Sequence, residues 1–337
     1  MEKSRRKNAH AVILPAFELL TLSDSVKRFL ENGGCSILIG ESREEYVSRK
    51  MSDERKTIEK SETFLTLIKE AITMSGDLIV AVDQEIGGIC RLHDLVPPFP
   101  DMSKIDDFDI DIFKNISSSI AREAKNLRIN CFLSPILDVV TGQNPWLHGR
   151  TWSNDPKVVG KITSAFIQMI QREGVAACAK HFPGFHNIAL DPAIESEAVV
   201  TEAASSFKQG FIPFTYAITN KVEMIMVGPA IVEAFDKKNP ASISPKIIDM
   251  LKKRLDFDGI VMSDDLDAQA TLRGRSIEEI AVKALNAGSD FLLLADADDH
   301  IERVVEAICN AVEKKILPEK RLYEAGTKVR KLAQKYS

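Results

Sequence analysis

The sequence predicts a (β/α)8 barrel, and three observations carry that reading. Eight short apolar runs recur along the chain, amphipathic stretches of helical length separate them, and polar residues stand just past the ends of several runs. The runs are Ala11–Leu14, Ser36–Ile39, Leu78–Val82, Asn130–Ser134, Val175–Ala179, Met224–Val227, Gly259–Met262 and Phe291–Leu294. Each is short and almost wholly apolar, as a parallel strand buried on both faces must be. The intervening stretches, such as Glu62–Met74 and Ile277–Ala287, repeat apolar residues at helical spacing. Strand then helix, eight times over, suits a closed parallel barrel. A doubly wound open sheet gives the same alternation, so the pattern alone leaves both open.

The chain has 337 residues, 45% hydrophobic and 28% charged, with a net charge of −5. That is ordinary globular composition. The acidic balance gives no bulk attraction for nucleic acid or an anionic membrane, and neither is expected as a partner. The basic start, Met1–His10, leads into no apolar core and small-residue cleavage site, so no signal peptide is expected. No run is long enough for a membrane span. Cys35, Cys90, Cys131, Cys178 and Cys309 are far apart and form no paired motif. They read as reduced thiols of a cytoplasmic protein, and zinc is not expected. No Gly/Ser/Pro linker divides the chain, and the segment from 318 to 337 reads as an exposed, highly charged helix.

In such a barrel the chemistry sits at the C-terminal ends of the strands. Asp83-Gln84-Glu85 follows the third run, Asp138 the fourth, Lys180-His181 the fifth, Ser263-Asp264-Asp265 the seventh, and Asp296 and Asp298 the eighth. Each residue has a plain alternative. An aspartate after a strand caps the next helix. Lys180 is either a solvated or a Schiff-base lysine, and His181 is a hydrogen-bonded structural residue or a functional one. Asp264 with Asp265 could hold a metal, but nothing else has ligand spacing. Together these residues favour a polar small-molecule site. No glycine-rich phosphate loop follows a strand, so a hydroxyl-rich ligand fits better than a phosphate.

Four ordered segments are more specific. They are Val82-Asp83-Gln84-Glu85-Ile86-Gly87-Gly88, Ser134-Pro135-Ile136-Leu137-Asp138-Val139, Lys180-His181-Phe182-Pro183-Gly184 and the stretch from Phe257 to Leu266. They resemble family 3 glycoside hydrolases, above all the single-domain bacterial β-N-acetylglucosaminidases of cell-wall recycling. Gly33-Gly34, Pro240-Ala241-Ser242 and Asn286-Ala287-Gly288-Ser289-Asp290 add to the likeness. The resemblance implies one (β/α)8-barrel domain over residues 1–337, with a helical extension at about 318–337. It implies a carbohydrate substrate, no cofactor and no metal. It makes Asp264 the nucleophile, and makes Asp83, Arg91, Arg150, Lys180 and His181 the residues that grip the terminal sugar.

The departures fall on the acid/base loop. After Gly184 the family continues to an Asp-Ser-His motif, but here Asp191 is followed by Pro192 and Ala193, so the histidine is missing. A second family histidine is replaced near Ala230. Ungapped alignment also puts Ile86 at a family glycine and Gly88 at a family arginine. His186, Glu195, Glu197 and Asp191 are the candidates for the acid, with His186 and Glu195 foremost. Three readings follow: a retaining hydrolase acting on a terminal β-linked sugar such as N-acetylglucosamine; a glycosyl transfer, phosphorolysis or biosynthetic step on the same nucleophile; or a non-catalytic sugar-binding barrel.

Overall fold

In the computed structural model, which describes residues 2–100, 109–295, 297 and 300–337, eight parallel strands form one sheet. They are β1 (Ile13–Phe17), β2 (Ser36–Ile39), β3 (Ile79–Val82), β4 (Cys131–Phe132), β5 (Ala176–Phe182), β6 (Met224–Val227), β7 (Ile260–Ser263) and β8 (Leu292–Leu294). Their order is β7-β6-β5-β4-β3-β2-β1-β8. A parallel bridge between Met262 and Phe291 joins the two ends of that order, so the sheet closes into a barrel and the open-sheet alternative falls. Each strand overlaps one of the eight runs.

Side chains alternate along every strand, which gives the barrel two separate apolar layers. Leu14, Leu38, Ala81, Cys131, Cys178, Met226, Met262 and Leu293 pack together inside it. Ile13, Ile37, Val80, Phe132, Ala177, Ile225, Val261 and Leu292 face outward against the helices. The helices begin and end where their caps stand. Ser276 accepts from the Glu279 amide to open Ile277–Ala287, and Asp155 accepts from the Lys157 and Val158 amides ahead of Pro156. The cysteines are unpaired; Cys35, Cys131, Cys178 and Cys309 are buried and Cys90 is half-buried.

The C-terminal helix, Glu319–Tyr336, is charged only on its outer face. Leu322, Ala325, Val329, Leu332, Ala333 and Tyr336 are buried, and the last four pack against the barrel interior beside Cys35, Ala176 and Ile260. This corrects the reading of an exposed helix: its charges mask an apolar stripe that covers the N-terminal end of the barrel. Arg321 and Lys328 from the helix pair with the buried Asp290 at 2.8 and 3.3 Å. With this end covered, the opposite end is left for a site. Among the described residues, no helix is long and apolar enough to cross a membrane.

Candidate active site

A cavity of about 720 Å³ opens at the C-terminal ends of the strands. Glu41 follows β2, Asp83 follows β3, Trp146 and Arg150 come from the segment after β4, Lys180 and His181 from β5, and Asp264 and Asp265 from the end of β7; all line the cavity. In the closed ring of eight, β3 and β7 are four strands apart. Asp83 and Asp264 therefore face one another across the barrel mouth.

One wall is a buried ionic cluster. Glu85 accepts from Arg150 Nη2 and Nε at 2.9 and 3.1 Å. Lys180 Nζ lies 2.6 Å from Glu85 Oε1 and 2.7 Å from Asp83 Oδ1. Burial opposes the charge on Glu85, but Arg150 and Lys180 outweigh it and hold its carboxyl far below the usual carboxylate range. Burial likewise opposes the charge on Lys180, and Asp83 and Glu85 overcome it to push its pKa up. Asp83 is shifted upward by burial and the charge of Glu85, against the pull of Lys180. A Cβ on Gly88 would meet Glu85 Oε2 at 1.9 Å, so the lack of a side chain there is what lets Glu85 turn toward Arg150. Tyr46, whose hydroxyl lies 3.3 Å from both Arg150 Nη1 and Trp146 Nε1, extends this wall.

The facing wall carries Asp264. Its amide donates to Val227 O at 2.9 Å, and its Oδ1 accepts from the Asp265 amide at 2.8 Å. Its Oδ2 is buried without a hydrogen-bond partner and lies 4.0 Å from His181 Nε2. The imidazole is held from behind: His181 Nδ1 lies 2.8 Å from Asp138 Oδ2. Asp138 also accepts from the amides of His181 and Phe185 at 2.9 and 2.7 Å. Burial disfavours its charge, but His181 and these hydrogen bonds hold its carboxyl below the usual range. Asp138 thus serves His181 and keeps its Nε2 turned toward the nucleophile candidate. Beside Asp264, burial and then the charges of Asp267 and Asp264 push the Asp265 carboxyl well up.

The comparisons decide the family. The model described as the glycosyl hydrolase family 3 N terminal domain matches residues 26–332. This chain belongs to glycosyl hydrolase family 3. A β-hexosaminidase from Nitrosomonas eutropha is 30% identical over 242 residues, 69% of each chain. One from Haemophilus influenzae is 29% identical over 237 residues, 68% of this chain and 67% of the relative. Among solved structures, the family 3 β-N-acetylglucosaminidase from Paenibacillus superposes with a TM-score of 0.88 at 23% identity, covering 98% of this chain and 62% of that one. The β-N-acetylhexosaminidase from Beutenbergia cavernae gives 0.84 at 20% identity, covering 98% of both. At those identities the structures establish the shared barrel.

In this family 3 chain, the residues singled out in the sequence do not all meet. Asp83, Arg150, Lys180, His181 and Asp264 share the cavity. Arg91 does not line it. It is fully buried, forms a two-pronged pair with Glu59 at 2.7 and 3.0 Å, and donates to Gly40 O at 2.5 Å. Glu59 in turn binds Arg55, which binds Glu45. Burial opposes ionisation of Glu45, but hydrogen bonds from Ser52, Arg55 and Ser42 bring it down to about 2. This chain of pairs fastens the segment that bears Glu41 and Tyr46 to the barrel.

The acid candidates also stand apart from the cavity. His186 is buried, with Nδ1 2.9 Å from Val139 O, and its Nε2 presses on the helix at Gly210, where a Cβ would stand 1.9 Å away. Glu195 and Glu197 are exposed. Asp191 Oδ1 accepts from the Ala193 amide at 2.9 Å and so shapes its own turn. Ala193 itself lines the cavity, with its carbonyl held by the Gln269 amide at 3.3 Å. Asp296 and Asp298 lie outside the described residues. Glu41, Tyr46 and Trp146 were missed in the sequence. Glu41 stands two residues past β2, so the rule that singled out Asp83 and Asp264 also reaches it; the two aromatics carried no signal.

Proposed function

We propose that this glycosidase is a retaining hydrolase of terminal β-linked sugars of the N-acetylglucosamine class, with Asp264 as its nucleophile. The carrying observation is the Asp264 carboxylate: its Oδ2 is buried and unpartnered at the cavity wall, opposite the charged cluster of Asp83, Lys180, Glu85 and Arg150. A pyranose ring has C1 and C4 at opposite ends. A ring with C1 toward Asp264 therefore turns C4 toward Asp83 and Lys180. Buried ion pairs back that wall, which supports action on the terminal residue. The sugar class is taken from the relatives, which are β-hexosaminidases. The unpaired cysteines, four of them buried, support a reducing, cytoplasmic setting.

In the first step, Asp264 Oδ2 attacks C1 as the bond from C1 to the leaving oxygen breaks, through a transition state of oxocarbenium character. In the second, water attacks C1, the bond to Asp264 breaks, and water loses a proton. His181, fixed by Asp138, places an Nε2 beside the nucleophile, where it can orient the carboxylate or the neighbouring hydroxyl. Ala193 faces the cavity where the family has histidine, and His186 is sealed beneath the Phe207–Thr219 helix, so among the described residues none of the loop's acid candidates stands ready to assist the leaving oxygen. Its proton comes from solvent, so substrates with acidic leaving groups react fastest. The same observation favours a second reading, transfer from a donor with a good leaving group to an acceptor other than water.

A panel of nitrophenyl glycosides, with wild type and Asp264→Asn, tests the proposal. We expect turnover of the β-N-acetylglucosaminide by the wild type and loss of at least about a thousandfold in the variant. Equal rates in the two proteins would remove Asp264 from the reaction.

A further inference from the structure

The Glu41 carboxyl takes no part in the two chemical steps above. It lines the cavity past the end of β2, and its Oε2 is buried without a hydrogen-bond partner. From β3 and the segment after it, Asp83, Glu85 and Arg91 act on it electrostatically, and from β5, Lys180 does. Arg43 on its own segment and Glu18 after β1 line the cavity nearby. Arg91 fastens the carbonyl of the preceding Gly40, so Glu41 leaves a fixed point of backbone. Lys180 and Arg150 are already committed to Glu85 and Asp83. Glu41 thus has a buried carboxyl oxygen with hydrogen-bonding capacity left over, and it lies on the Asp83 side of the cavity.

We propose that Glu41 reads the sugar hydroxyl at the end of the ring remote from Asp264, donating a hydrogen bond to the oxygen whose own proton Asp83 accepts. This rests on the sugar-site reading above and adds a specificity-determining residue to it. A hydroxyl is both donor and acceptor, so two neighbouring carboxyl groups bind it best when one is ionised and the other protonated. Burial, then the charges of Asp83 and Glu85, push Glu41 up to about 8, so it carries the proton at neutral pH. Once it ionises, two acceptors face a hydroxyl with one proton, and one of them loses its bond.

Calorimetric titration with the cognate monosaccharide and its 4-deoxy and 6-deoxy analogues tests this. For the wild type, affinity should fall about tenfold as pH rises from 7 to 9, the scale of one lost hydrogen bond. Glu41→Gln keeps a donor and should bind like wild type at pH 7, with a flat profile to pH 9. Glu41→Ala should lose about tenfold at pH 7, and one deoxy analogue should bind wild type and Glu41→Ala equally. Melting curves at pH 7 verify that the variants fold. A flat wild-type profile, or affinity that rises with pH as for a ligand bearing an ammonium group, overturns the inference while leaving the sugar site standing. No binding by any sugar removes both.

Discussion

Glu85 is the point at which two buried cations converge, and its neutralisation tests the electrostatics of the site most sharply. Glu85→Gln preserves volume but removes the charge that Arg150 meets at 2.9 and 3.1 Å and Lys180 at 2.6 Å. Lys180 keeps Asp83 at 2.7 Å. Arg150 keeps only neutral hydrogen-bond partners, the Tyr46 hydroxyl at 3.3 Å and Trp146 O at 3.4 Å, with the charge of Asp83 acting on it from further off. Breaking a buried pair from one side costs about 3–5 kcal/mol, because a charge is left uncompensated. With one of the two cations still paired, we expect the lower end, about 3 kcal/mol, in urea unfolding at pH 7. Adding Arg150→Met removes the stranded cation and should recover at least half of the loss. The depressed Glu85 pKa sets the sign of the pH dependence: its contribution is present above the usual glutamate range and fades as pH falls through its folded value, so wild type and variant should converge in acid. A single variant within about 1 kcal/mol of wild type, or a double variant less stable than the single, would refute this reasoning.

Two further outcomes follow from the site. Rates on aryl glycosides should depend steeply on the pKa of the leaving phenol, and His186→Ala, Glu195→Ala and Glu197→Ala should leave that slope unchanged; a shallow slope in the wild type would mean that an acid reaches the leaving oxygen. Glu41 is protonated in the fold up to about pH 8 but ionises near its ordinary value of 4.5 when the chain unfolds. Between those values the folded chain holds the extra proton, so the wild type loses stability as pH rises. Glu41→Gln should therefore melt higher than wild type at pH 8, by roughly 2 °C or more, with the gap closing near pH 5; a gap that is constant with pH would contradict the assignment.

Much of the barrel was legible because its signals are local. Most strand residues are buried and so each strand appears as a largely apolar run, and Ile277–Ala287 appears between its own Ser276 cap and Gly288. The C-terminal helix was read only by its charges. Its buried stripe, from Leu322 to Tyr336, becomes meaningful once the open end of the barrel is known to need covering. In the site, the rule that a polar residue past a strand end faces the mouth picked out Asp83, Lys180, His181 and Asp264. It says nothing of what lies behind them. Arg91 follows the Val82–Gly88 motif closely, and the resemblance makes it a sugar-binding residue, yet its direction is set by Glu59, a partner 32 residues away in sequence. His186 is a loop histidine in sequence, but the helix that seals it begins at Phe207. Contacts of this range are fixed by packing rather than by local pattern, and there the sequence reading stopped.

In the proposed reaction Asp264 forms a covalent bond to the sugar. Incubation with a fluorinated β-glycoside bearing an activated leaving group slows breakdown of the glycosyl-enzyme relative to its formation, so the adduct accumulates. Intact-mass spectrometry with peptide mapping should then show one sugar added per wild-type chain, on the peptide carrying Asp264, and none on Asp264→Asn. A sugar on another residue, or turnover of activated glycosides by the wild type without any adduct and with Asp264→Asn equally active, would contradict the account.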